Sequence, residues 1–188
     1  MSRAGWGRGA GTPPAAADRS RIRMTELEEV DLDDICVATE QAIKVGIGFD
    51  WIDPPPRDRL AAYWRGAMLV PERELLVGRY NGTIVGTVQM VRPAPNNEAG
   101  AHNVTLNSFF VAPWARGHGL ARSMLAEFEK RVRELGSSQI SLDVRETQAG
   151  AIALYENAGF KRWGMKPNYA QVGGTFIRGF FYTKDLSA

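Results

Sequence analysis

Phe109-Phe110-Val111-Ala112-Pro113-Trp114-Ala115-Arg116-Gly117-His118-Gly119-Leu120-Ala121-Arg122 is the stretch from which the fold can be read. Leu106 and Phe109 to Val111 form an apolar, β-prone run, which predicts a strand. Pro113 ends it, because proline has no amide to give a ladder. Gly117 and Gly119 let the backbone turn tightly and approach a ligand. Leu120, Met124, Leu125, Phe128, Val132 and Leu135 then recur at spacings of three and four, one face of an amphipathic helix, and Gly136 closes it as a C′ glycine. The unit is strand, glycine loop, helix. The free amides and positive dipole end of the helix suit the loop to an anion, a phosphate above all.

The glycines fit two familiar phosphate loops badly. A P-loop needs Gly-x4-Gly-Lys-Ser/Thr, and no lysine-hydroxyl pair follows here. A dinucleotide fingerprint needs a third small residue where Arg122 stands, and an arginine would crowd the helix–strand contact. Arg116-Gly117-His118-Gly119-Leu120-Ala121 does satisfy Arg/Gln-x-x-Gly-x-Gly/Ala. That pattern resembles the acetyl-CoA loop of the GNAT family of N-acetyltransferases. A glycine turn that merely starts a helix is the competing reading of the loop taken alone.

A second stretch joins the first. Ile140, Leu142 and Val144 alternate with polar residues as in a half-buried strand. Ala149 to Asn157 is alanine-rich and helical, stopped by Gly159. Leu154-Tyr155-x-x-x-Gly159-Phe160 resembles the family's second signature letter for letter, and the likeness covers residues 21 to 186. The resemblance implies acetyl-CoA as cosubstrate, no metal, and acetyl transfer to an amine. It implies that the strand ending at Val111 splays from the strand 139–145 and that pantetheine pairs with it. Phe109, Phe110 and Val111 would then contact the cofactor, with one backbone amide facing the developing oxyanion, and Arg116, Gly117, His118, Gly119, Leu120, Ala121 and Arg122 would wrap its pyrophosphate. Gln148, seven residues before Tyr155, stands where the family often has an asparagine touching the cofactor. Tyr155 matches the general acid that protonates the leaving thiolate; a tyrosine packed under the sheet with its hydroxyl satisfied is the alternative.

The base is less plainly marked. Many family members carry a strand glutamate before the loop, where this chain offers Thr105, Asn107 and Ser108. Leu142-Asp143-Val144-Arg145 resembles the Leu-Glu-Val-Arg of the ribosomal-protein N-terminal acetyltransferases, which makes Asp143 the candidate; pairing with Arg145 or solvent is its other reading. His118 rides the phosphate loop, nothing places His102 near the site, and Cys36 reads as a small core hydrophobe, which disfavours a ping-pong route.

The rest of the chain frames this unit. Its 188 residues are enough for one domain with a real core. Hydrophobic residues at 44% and charged residues at 23% are ordinary for a globular protein. A net charge of +2 without a basic run gives no track for nucleic acid. Cys36 is the sole cysteine, so no intramolecular disulfide forms. No signal-peptide core and no membrane-length apolar run is present. The expectation is a cytoplasmic protein, monomer or homodimer, acting away from membranes and nucleic acid.

Residues 1 to 20, rich in Gly, Ala, Pro and Arg, read as a disordered leader, and residues 21–188 as a single acetyltransferase domain. Arg21 to Met24 predicts the first strand, with Thr25 as a turn or cap. Asp31 or Asp33 is the expected cap of a helix built on Leu32, Ile35, Cys36, Thr39, Ala42 and Ile43 and ended by Gly46. The next loop carries Phe49, Asp50, Trp51 and Asp53 among prolines. Aromatics beside acids on a stiff loop suit recognition of an amine; Phe49 and Trp51 plugging the domain edge is the equal alternative. A helix follows from Arg57 to Leu69. Glu74 to Arg79 and Thr83 to Val91 make a hairpin at Asn81-Gly82. Lys161 to Met165 and Thr175 to Lys184 read as closing strands separated by 166–174. The expected fold is α/β of the α+β kind: a mixed, mostly antiparallel sheet of about seven strands with about four helices.

The acceptor is the least legible part. The second motif leans toward protein N-termini, so a protein N-terminus or lysine is the alternative acceptor. Gly46-Ile-Gly-Phe and Lys166-Pro-Asn-Tyr, with the final Phe-Tyr-Thr-Lys-Asp-Leu, loosely resemble the tabtoxin-resistance type of small-molecule acetyltransferase. A small amine is therefore favoured narrowly. The missing strand glutamate keeps a non-catalytic acetyl-CoA-binding module as a further alternative.

Overall fold

Alternation of apolar and polar residues builds a sheet, and helical stripes cover both of its faces. The computed structural model describes residues 21–24, 27–46 and 49–187. The order is β1 (Arg21–Met24), α1 (Glu29–Lys44), α2 (Arg57–Leu69), β2 (Arg73–Tyr80), β3 (Thr83–Val91), β4 (Asn103–Val111), α3 (Leu120–Glu134), β5 (Gln139–Arg145), α4 (Ala149–Asn157), β6 (Lys161–Val172) and β7 (Thr175–Asp185). The strands form one seven-stranded sheet in the order β1-β2-β3-β4-β5-β7-β6. Every neighbouring pair is antiparallel except β4 and β5. This is the fold class read from the sequence. The expected leader and Thr25 lie outside the described residues.

Side-chain direction shows how the layers pack. Glu74 of β2 turns to α3, where Arg131 Nε meets its carboxylate at 2.7 Å. Arg79 turns to α1 and meets Asp31 at 2.5 Å. On the α3 side, Leu120, Met124, Leu125, Phe128 and Val132 are all buried, each stabilising by about 1.5–3 kcal/mol. Gly78 lets that stripe lie close, since a Cβ there would stand 2.5 Å from Met124 Sδ. On the α1 face, buried Trp64 donates from Nε1 to Thr39 Oγ1 at 3.2 Å.

Two expectations need correction. Neither Asp31 nor Asp33 caps α1, because the helix begins at Glu29 with Glu28 before it and no side-chain cap. Both aspartates lie within the helix and bind arginines of other elements, Asp31 to Arg79 and Asp33 to Arg57. And β6 does not stop at Met165; it runs to Val172 and turns at Gly173-Gly174. Its polar run with Pro167 reads as a loop in sequence, yet the strand absorbs it by slipping register twice, between Arg162 and Gly164 and between Lys166 and Ala170.

Candidate active site

The site begins where two parallel strands part. β4 and β5 pair only over Asn103–Thr105 against Gln139–Ser141. Beyond those residues β4 carries an extra residue: Gln89 of β3 faces Asn107, and Thr87 faces Phe110. The bulge holds Ser108 at φ +46°, a strained conformation for a non-glycine residue, and Thr87 Oγ1 pins the Ser108 carbonyl at 2.8 Å. Between the parted strands lies a cavity of about 280 Å³ that Phe109, Asp143, Val144, Gln148, Tyr155 and Ser108 help to line.

Tyr155 enters this cavity from α4. It is 4% exposed and packs against Phe160, Phe109 and Tyr182, with ring centroids at 5.6, 6.2 and 6.4 Å. Burial, and then the nearby Asp143 carboxylate, push its phenol far above the ordinary tyrosine value. No group among the described residues hydrogen-bonds its hydroxyl, so the alternative of a satisfied structural tyrosine loses its main support. Asp143 lines the same cavity from β5, and the hydroxyl of Tyr169 donates to its Oδ2. Arg145 does not pair with it; its Nη2 reaches the Phe49 carbonyl at 2.5 Å.

The glycine loop lies at the far end of β4. Gly117 and Gly119 have φ of +81° and +75°, and Gly119 precedes the first residue of α3. The first amides of α3 have no acceptor within the helix, which fits a loop that wraps a phosphate. Arg116 turns back instead, its Nε donating to the Val111 carbonyl at 3.1 Å, and burial lowers its affinity for protons. His118 stacks on Tyr80 at 4.7 Å, while Leu120 is core, Ala121 half-buried and Arg122 exposed. Phe110 is buried against Phe49, rings 5.2 Å apart. Gln148 donates its side-chain amide to the Gly46 carbonyl.

The α1–α2 segment closes the cavity on one side. Phe49 is buried and stacks with Trp51 at 6.1 Å, Trp51 meets Tyr63 at 5.0 Å, and Asp50 is exposed. Phe49 is thus part of the core and also, with Asp50 and Trp51, part of the cavity wall. Tyr169 of β6 lines the cavity as well. Its ring lies on Gly179, where a Cβ would stand 2.2 Å from the ring. Burial and then the bond to Asp143 raise the Tyr169 phenol well above its usual value. Tyr63, Arg73, Gln89 and Tyr169 are absent from the candidate site residues picked out of the sequence. Tyr169 stood in a stretch read as a loop, and the others depend on register between distant strands.

A model of the acetyltransferase (GNAT) family matches residues 36–160. An N-acetyltransferase of Azospirillum brasilense, encoded in the hisH-hisA intergenic region and itself uncharacterised, is 51% identical over 126 residues, 67% of this chain and 75% of that protein. Among solved structures, a ribosomal-protein-alanine N-acetyltransferase from Brucella melitensis superposes with a TM-score of 0.72 at 22% identity, covering 91% of this chain and 99% of that one. A phosphinothricin acetyltransferase from Sinorhizobium meliloti in complex with acetyl-CoA superposes at 0.71 and 20% identity, covering 91% and 88%. At those identities the two structures speak to the fold.

Proposed function

Because the chain belongs to the GNAT family of acetyltransferases and is therefore an acyltransferase, we propose that it moves the acetyl group of acetyl-CoA directly to the amine of a small molecule within a ternary complex. The observation that carries this is the opening between β4 and β5, with Tyr155 and Asp143 both on the cavity it creates. The neutral amine attacks the thioester carbonyl carbon and the carbon–sulfur bond breaks. Tyr155 gives its proton to the departing sulfur, and Asp143, directly or through the Tyr169 hydroxyl, takes the proton the amine sheds. Gly117 to Arg122 hold the pyrophosphate, and Phe109 to Val111 hold the pantetheine. Cys36 has no part: it is fully buried, and burial raises its thiol, which opposes an acetyl-cysteine intermediate.

A small acceptor is favoured because the walls of the cavity are tied in place. Arg145 and Gln148 tie Phe49 and Gly46 to β5 and to the start of α4, and Tyr169 lines the same cavity, leaving a pocket for a compact amine. Asp50 and Asp143 supply negative charge for it, Phe49 and Trp51 an apolar wall. The second reading, acetylation of a protein N-terminus, draws on Asp143 in its Leu-Asp-Val-Arg context. Thiol release from acetyl-CoA across a panel of small amines and peptides with free N-termini separates the two. Turnover with peptides alone would overturn the small-molecule assignment; binding of acetyl-CoA without turnover on any amine would leave a non-catalytic binding module.

A further inference from the structure

Four polar side chains lie in one hydrogen-bonded line at the cavity wall. Arg73 Nη1 donates to Gln89 Oε1 at 2.9 Å, and Gln89 Nε2 donates to Tyr63 Oη at 3.1 Å. Tyr63 Oη and Ser108 Oγ then share a hydrogen at 3.2 Å. Gln89 is 1% exposed, in the middle of β3. An amide so deep is costly unless both of its ends are bonded, and here both are.

The line has a direction, set by its first member. A guanidinium has only donors, so the atom facing Arg73 is the Gln89 oxygen and the NH2 group faces Tyr63. The Tyr63 oxygen is therefore an acceptor from Gln89. The two hydroxyls, Tyr63 and Ser108, carry two hydrogens between them and spend one on each other. The remaining hydrogen faces the cavity, which both residues line. The line thus offers a neutral hydrogen-bond donor at the bulge. The bulge fixes it in place, since Ser108 is held at φ +46° with its carbonyl bonded by Thr87.

We infer that this line is an oxyanion donor: Arg73, Gln89 and Tyr63 orient the Ser108 hydroxyl so that its hydrogen meets the thioester carbonyl oxygen. The inference rests on the acetyl-CoA reading above. Three groups change in the reaction, and only one of them wants this donor. The attacking amine must keep its lone pair free. The leaving sulfur is served by Tyr155, which comes from α4 on the opposite face of the sheet. The carbonyl oxygen gains negative charge in the transition state, and a preorganised donor stabilises it most there. Ser108 keeps its proton throughout; Gln89, Tyr63 and Arg73 are positioning residues.

The polarity can be reversed with almost no change in shape. In Gln89→Glu, a carboxylate accepts from Arg73 and also from the Tyr63 hydroxyl. Tyr63 then turns its hydrogen to position 89, Ser108 spends its own on Tyr63, and only oxygens face the cavity. Bound acetyl-CoA labelled with carbon-13 at the carbonyl gives an infrared band that moves to higher frequency when a donor is lost. The expected result is such a move in both Gln89→Glu and Ser108→Ala relative to wild type. It accompanies a fall in kcat on the order of a hundredfold with acetyl-CoA affinity by calorimetry nearly unchanged. A carbonyl band at the same frequency in wild type and Ser108→Ala overturns the inference, whether or not the Gln89 variant folds. Failure of the wild type to bind acetyl-CoA in the calorimeter overturns the acetyltransferase reading and the inference with it; binding with an unmoved band overturns the inference alone.

Discussion

At the scale of the residue, Tyr155 combines two properties that rarely occur together, deep burial and an unbonded hydroxyl. A phenol in that setting stays protonated throughout the neutral range, which a proton donor to a thiolate needs. Tyr155→Phe keeps the ring packing and removes the proton. Turnover measured by thiol release is expected to fall by about 10²–10⁴, with acetyl-CoA affinity by calorimetry nearly unchanged; an unaffected rate would remove Tyr155 from the chemistry. The same burial has a consequence for stability. Burial first, and Asp143 second, raise the folded-state value above the unfolded one of about 10. The contribution is therefore fully present below pH about 10 and is lost as pH rises from there through the folded-state value. Melting temperatures followed from pH 8 upward should drop less steeply in Tyr155→Phe than in wild type above that point. Equal slopes would mean that Tyr155 does not titrate with unfolding. Tyr155 could be found from the sequence because its motif is local, seven letters on one helix and the turn after it. The partner of Asp143 could not, since Tyr169 lies two strands away in the sheet.

Elements differ in the same way. The hairpin at Asn81-Gly82, the stripe of α3 and its closing Gly136 were legible because each depends on residues within a few positions of one another. Both residues of the hairpin turn have positive φ, at +51° and +84°, as the dipeptide demands. The course of β6 was not legible. Its register slips respond to β7, and a polar run with a proline offers no period of two. Nor could sequence separate an aspartate that caps a helix from one that binds an arginine of the sheet, as Asp31 does. The β6–β7 pair also yields a test. Gly179 leaves the space in which the Tyr169 ring lies, and an added Cβ would stand 2.2 Å from that ring. Gly179→Ala must push Tyr169 off its seat or strain the pair, at a cost of about 1–3 kcal/mol by thermal or urea unfolding. Adding Tyr169→Ala should recover most of that loss, a coupling a double-mutant cycle reads directly. Simple additivity would show that the two residues do not share the space. With an acceptor in hand, Gly179→Ala should raise its KM and leave acetyl-CoA affinity alone if Tyr169 borders the acceptor as proposed.

At the scale of the whole molecule, the sheet is two half-sheets joined by a short seam. β1 to β4 form one and β5, β7 and β6 the other, and the backbone pairing between them is confined to Asn103–Thr105 and Gln139–Ser141. The proposed site residues straddle that seam: the glycine loop and Ser108 belong to the first half, Tyr155, Asp143 and Tyr169 to the second. A ligand lying along β4 beside α4 and β5 therefore adds contacts where the protein's own ladder has stopped. Acetyl-CoA at a hundred times its dissociation constant should stabilise the chain by about 2.7 kcal/mol, several degrees for a domain of this size. Desulfo-CoA should do much the same, and NAD and ATP should not. The location of the effect matters more than its size. Hydrogen exchange should slow on both sides of the opening, in Leu106–Val111 and in Leu142–Arg145, which do not pair with each other without the ligand. Protection confined to the glycine loop and α3 would mean that the nucleotide end binds while the opening stays unused, and the cavity would lose its role in acetyl transfer. A shift with NAD or ATP alone would sink the acetyl-CoA reading altogether, since a loop that failed to discriminate by the pantetheine arm would have no reason to stand at the end of a parted strand.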